Sequence, residues 1–77
     1  MVENTVHALG ICQNYMPGQQ ATLGGNFASM AVSQVAEQLG IPAHAIWFYA
    51  VGGKRVPPDY RLSPGEELTI HSPVDGG

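Results

Sequence analysis

Residues 62–77, "LSPGEELTIHSPVDGG", decide how this chain is read. Pro64-Gly65 marks a tight turn, because proline presets φ and glycine accepts the positive φ that follows. "ELTIHS", residues 67–72, then reads as a closing strand. In it Leu68 and Ile70 share one face, and Thr69 and His71 share the other. Pro73 disfavours further sheet pairing. A short tail from Ser72 to Gly77 follows and ends on Gly76-Gly77.

Working back from that strand, residues 46–51 ("IWFYAV") form a continuous apolar and aromatic run of strand length. Such a strand is covered on both faces, or covered on one and adhesive on the other. Counted back from Val51, residues Val51, Tyr49 and Trp47 are expected to face the core. Ile46, Phe48 and Ala50 are expected on the opposite, open face. "GGK" supplies the next turn, and "RVPPDYRLSPGEE" is a proline-punctuated return, since Pro57-Pro58 rules out a central strand. Glu66 and Glu67 are expected in solvent at the turn. Adjacent in a strand they point apart, which makes a poor acid–base couple.

Residues 31–40, "AVSQVAEQLG", are a helix. Val32, Val35, Ala36 and Leu39 make one apolar stripe at i, i+3, i+4 and i+7. Gly40 suits the position after the helix, and Pro42 prevents continuation. At the amino end, "TVHALGIC" (5–12) reads as a strand, Pro17-Gly18 as a type II turn, and "QATL" as the return of an antiparallel hairpin. "LGGNFASMA" (23–31) is the least regular stretch. Asn26 or Ser29 could cap the helix, and Phe27 and Met30 are expected in the core. The second strand could instead run on through Gly24-Gly25 with a bulge.

The order is strand, strand, helix, strand, loop, strand. One sheet with one helix on one face is the simplest α+β arrangement, with the last strand parallel to the first at the sheet centre. That predicts a β-grasp, or ubiquitin-like, fold: a mixed sheet of four or five strands over residues 1–71, followed by a flexible tail, 72–77.

Composition narrows the function. The chain has 77 residues, one domain's worth. Charged residues are 12% of it, about half the usual ~25%. The formal net charge is −3, and all three cations, Lys54, Arg55 and Arg61, fall in one segment. That is too little basic surface for sequence-independent nucleic-acid binding. No apolar run is long enough for a membrane span, and the amino terminus lacks a signal-peptide pattern. The expectation is a cytoplasmic protein without nucleic-acid or membrane partners. Cys12, the single cysteine, reads as a small buried thiol. His7, His44 and His71 show no ligand spacing, so no metal is expected.

Four motifs in order resemble the β-grasp sulfur carriers of thiamine and molybdopterin biosynthesis (the ThiS and MoaD type). They are the helix "VSQVAEQLG", the turn "AVGGKRVPP", the turn "LSPGEELTI" and the tail "SPVDGG". The resemblance covers about 45 residues, from residue 33 to the end. It departs at Gly52, where the family usually has asparagine, in the longer glycine-rich 24–30 segment, and at Asp75, where alanine or glycine is common.

The resemblance implies that the chain is not an enzyme but a protein-borne cosubstrate. A partner of the ubiquitin-activating type uses ATP to adenylate the Gly77 carboxylate. A sulfur donor, such as a sulfurtransferase or a cysteine desulfurase, then replaces AMP and leaves a thiocarboxylate. A downstream synthase accepts the sulfur. No cofactor is bound by the carrier itself. Pro73, Val74, Asp75 and Gly76 are expected to enter the partner's site. Phe48 and His71 on the open sheet face are expected to dock the activating enzyme. Glycine lets the backbone approach a nucleotide closely, and six residues from Ser72 span at most roughly 20 Å when extended. The alternative is a ubiquitin-like modifier joined through Gly77 to lysines of other proteins. A third possibility is an interaction module with a passive tail.

Overall fold

The computed structural model describes residues 3–73. Five strands are formed: β1 (Asn4–Ala8), β2 (Thr22–Gly25), β3 (Phe48–Val51), β4 (Lys54–Val56) and β5 (Glu67–His71). One α-helix, α1 (Val32–Gln38), lies between β2 and β3. The sheet order is β2-β1-β5-β3-β4. β1 and β5 run parallel at the centre, and the β1·β2, β3·β4 and β3·β5 pairs are antiparallel. The fold is therefore α+β with a mixed five-stranded sheet. Among the described residues, no helix is long and apolar enough to cross a membrane.

Period-two alternation divides the sheet. Val6, Ala8, Tyr49, Val51, Leu68 and Ile70 turn to one face and are buried there. Val32, Val35, Ala36 and Leu39 of the helical stripe join the same cluster. The helix is only seven residues long, so packing rather than propensity holds it. Its end is a Schellman motif: the Ile41 N–H donates to Ala36 C=O at 2.9 Å, and the Gly40 N–H donates to Glu37 C=O at 3.0 Å. Neither Asn26 nor Ser29 caps its start. Ala31 is the capping position, and Gln34 Oε1 reaches back to accept the Ala31 N–H at 3.1 Å.

The amino-terminal strand is shorter than its sequence predicts. It ends at Ala8, and a 3-10 segment, Gly10–Tyr15, replaces the expected extension to Cys12. Gly10 takes φ 58, which turns the chain off the sheet and sends Cys12 into the core. The hairpin is antiparallel as expected, and the Gln19 N–H donates to Met16 C=O across Pro17-Gly18 at 2.7 Å.

β2 does run on through Gly24-Gly25, but in unbroken register, Gly25 opposite Asn4 and Gly24 opposite Thr5, so the glycines mark no bulge. At Gly25 the role of glycine is space. A Cβ on Gly25 would lie 2.9 Å from the ring of Phe27, which folds back to be buried.

Asn4 anchors this irregular stretch. It is fully buried, its Oδ1 accepts the Phe27 N–H at 3.0 Å, and its Nδ2 donates to Ser63 C=O at 2.8 Å and Glu66 C=O at 3.1 Å. One side chain thus joins β1, the 24–30 segment and the turn into β5. Glu66 departs from expectation for the same reason. It is half-buried, and its carboxylate accepts the Ser63 N–H at 2.7 Å and the Tyr60 O–H at 2.8 Å. That hydrogen bond, then burial and the nearby charge, raise the Tyr60 hydroxyl above its ordinary pKa.

Candidate functional site: the open sheet face at the end of β5

The face opposite the helix carries Thr5, His7, Phe48, Ala50, Arg55, Glu67, Thr69 and His71 by strand alternation. The helix α1 packs on the other side, and what this face shows is chemically uneven. Toward the β1–β5 end, His7 Nδ1 is 3.1 Å from Thr22 Oγ1 and His7 Nε2 is 3.4 Å from Glu67 Oε1. Toward the β3–β4 end, aromatic rings and a cation gather.

Phe48 and His71 are direct cross-strand partners. Their rings stack at 4.2 Å between centroids and 15° between planes. The Arg55 guanidinium lies 4.9 Å from the Phe48 ring centroid, a cation–π contact. Trp47 meets Phe48 edge to face at 5.1 Å. The two residues expected to dock a partner, Phe48 and His71, therefore touch, and both are half-buried rather than covered.

The turn before Arg55 fixes this geometry. Gly52 and Gly53 have φ of 59° and 83°, the two left-handed residues of a type I′ hairpin turn, with Val51 opposite Lys54. Asparagine also tolerates that conformation, so it could stand at residue 52 without changing the turn. A two-residue turn sets the register Ala50↔Arg55 and Tyr49↔Val56, which lays Arg55 beside Phe48.

The alternation counted back from Val51 fails at its far end. β3 begins at Phe48, not Ile46, because Ala43–Ala45 form a 3-10 turn before it. Ile46, coming off that turn, packs against the core. Trp47 lies beyond the strand's last core position and is 61% exposed. The core and open assignments of these two residues are thus exchanged. Ala50 does lie on the open side of the strand, though its neighbours bury it.

The end of β5 leads to the tail. Ser72 is buried and 4% exposed, whereas Pro73 is exposed. Val74, Asp75, Gly76 and Gly77, named above as tail and reactive end, lie outside the described residues.

Cys12 is a buried thiol, as its sequence context suggests. Its Sγ–H donates to Ala45 C=O at 3.1 Å, and burial pushes its pKa up. A raised thiol pKa means little thiolate at neutral pH, the opposite of an activated nucleophile. Burial, then the nearby Cys12, raises the Tyr49 hydroxyl as well. His7, His44 and His71 lie on β1, on the 3-10 turn and on β5. Among the described residues, no group of three or more His, Cys, Asp or Glu side chains is placed to hold a metal ion.

In sequence, Arg55 reads with Lys54 as a solvated turn that could still pair with acidic groups on a partner, and Trp47 reads as a core residue, so neither is placed beside Phe48. Arg55 was within reach, since counting outward from a two-residue Gly-Gly turn pairs it with Ala50. Trp47 was not, because nothing local announces where β3 starts. In comparison with known proteins, no family model, no curated protein and no solved structure matches this chain.

Proposed function

We propose that this protein is a β-grasp sulfur carrier. A partner enzyme of the ubiquitin-activating type adenylates the Gly77 carboxylate with ATP, and a sulfur donor converts it to a thiocarboxylate. A biosynthetic synthase then draws its sulfur from that group. The observation that carries the reading is the central β5. It lies parallel to β1, carries His71 against Phe48 on the uncovered face, and leads within two residues to the exposed Pro73. A partner seated on Phe48, His71 and Arg55 sits beside the root of a tail whose sequence is Val74-Asp75-Gly76-Gly77.

The chemistry asks little of the carrier's side chains. The partner activates the carboxylate, and the carrier supplies a narrow backbone and a docking face. AMP leaves as sulfur attacks the acyl carbon, so one carboxylate oxygen departs with the phosphate and sulfur takes its place; sulfide gives the thiocarboxylate directly, and a persulfide donor gives an acyl disulfide that a thiol then reduces.

The test is intact-mass measurement after incubation with an activating enzyme, ATP and a sulfur donor. The expected result is replacement of one oxygen by sulfur at Gly77, lost when Gly76 and Gly77 are deleted. An unchanged mass with Gly77 as the terminal residue overturns the reading. Gly-Gly remnants on target lysines would instead favour the modifier.

A further inference from the structure

Along β3, a cleft of about 480 Å³ opens between the start of α1 and the β3–β4 hairpin, and Phe48 at the edge of the open face contributes to its lining. Buried Tyr49 and half-buried Ile46 line its depth. Val56, Pro57 and Pro58 form one wall, held to the helix by the Ser33 N–H donating to Pro58 C=O at 3.0 Å. Exposed Trp47 and Arg55 stand at the rim. A second cleft of about 200 Å³ shares Ser33, Ala43, Ile46 and Tyr49 with the first and continues past Ile41 to Glu37. Together they make one elongated apolar groove with a cation at one end and an acid at the other.

We propose that this groove receives a short, extended acidic segment of a partner protein. Two apolar side chains sit over Tyr49 and Ile46, and a carboxylate pairs with Arg55. Length favours a peptide over a compact ligand, since two joined clefts accept successive side chains.

Charge selects an acidic one. The chain as a whole carries −3, yet Lys54 and Arg55 sit together at this end, and among the described residues neither has a carboxylate at ion-pair distance. Glu37 at the far end repels an acid there and sets direction. Along this wall Pro57 and Pro58 offer no N–H, so contact there runs through side chains. The large exposed Trp47 gives the segment an apolar lid, as anchors at interfaces commonly do.

Trp47 is the only tryptophan and so reports occupancy directly. The full chain is titrated with the capped peptide Ac-Glu-Asp-Leu-Val-Leu-NH2 while Trp47 emission is followed. The expected result is a saturable blue shift. Arg55→Glu, or lysines in place of the peptide's acids, should weaken binding about tenfold or more, as loss of a charge-assisted contact does. Ala43→Phe, an exposed substitution that fills the groove, should abolish it, with circular dichroism verifying the fold. His7→Ala, at the far β1–β5 end of the open face and outside the cleft lining, should leave it unchanged.

The proposal is overturned by the absence of a shift, by equal affinity for the lysine peptide, or by indifference to Arg55→Glu. It is also overturned if Trp47 becomes covered by concentration-dependent self-association without peptide, which would make a second copy the occupant. The assay uses neither Gly77 nor ATP, so its failure is distinct from failure of the carrier reading.

Discussion

The two faces of the sheet are made from alternate residues of the same strands, yet they do opposite things. On one, Val6, Leu68, Ile70 and Val51 close against α1 with no water-facing group between them. On the other, Phe48, His71 and Arg55 stack on one another and remain half-buried or exposed. The first face spends its apolar surface inside the molecule. The second keeps aromatic rings ordered by mutual contact rather than by a core, which leaves them available to a partner. In a protein this small, the sheet can hold only one core, so the face it does not use is where function is sought.

If that contrast is right, substitutions on the two faces must separate stability from recognition. Leu68→Ala should have the largest effect on stability, about 3 kcal/mol, because it opens a cavity under the helix. A shift of the urea midpoint corresponding to less than about 1 kcal/mol would mean that the helix-side face is not the dry core described.

Asn4→Ala should come next, costing about 2 kcal/mol, since it removes three hydrogen bonds and leaves the Phe27 N–H unpartnered in the interior. Faster hydrogen exchange at the Phe27 amide and at the 63–66 turn checks it. Normal protection would show that the 24–30 segment holds without Asn4.

Phe48→Ala should have the smallest effect on stability, about 1 kcal/mol or less from the lost ring contacts. Under the carrier reading it should nonetheless weaken the complex with the activating enzyme at least about tenfold, as loss of an aromatic anchor does. Calorimetric titration measures this. Strong destabilisation with unchanged affinity would reverse the contrast between the faces.

Much of the fold was legible in local pattern. The helical stripe at Val32, Val35, Ala36 and Leu39, the alternation in β5 and the glycine and proline turns depend on neighbours in sequence, so their period or φ preference shows directly. Part of the site was legible for the same reason, since Phe48 and His71 follow from alternation. The failures lie where a distant group decides. Cys12 leaves the strand to fill the core beside Ala45. Gly25 is small because Phe27 folds onto it. Glu66 turns inward because Tyr60 and Ser63 offer it donors. Trp47 is exposed because Ala43–Ala45 coil before β3 begins.

The sequence by itself determined the order of β1, β2, α1, β3 and β5, the faces of β5, the helix and its stop, and a mixed α+β sheet, while β4 (Lys54–Val56) formed in a segment that reads as a loop. Those properties arise from side-chain period and from backbone preferences that each short segment carries with it. Tertiary structure alone decided the stacking of His71 on Phe48 beneath Arg55, the burial of Asn4 as a three-way latch, and the groove between α1 and the β3–β4 hairpin. Each of these brings together residues far apart in sequence. Their geometry is set by how whole elements pack and by which polar groups must find partners once water is excluded.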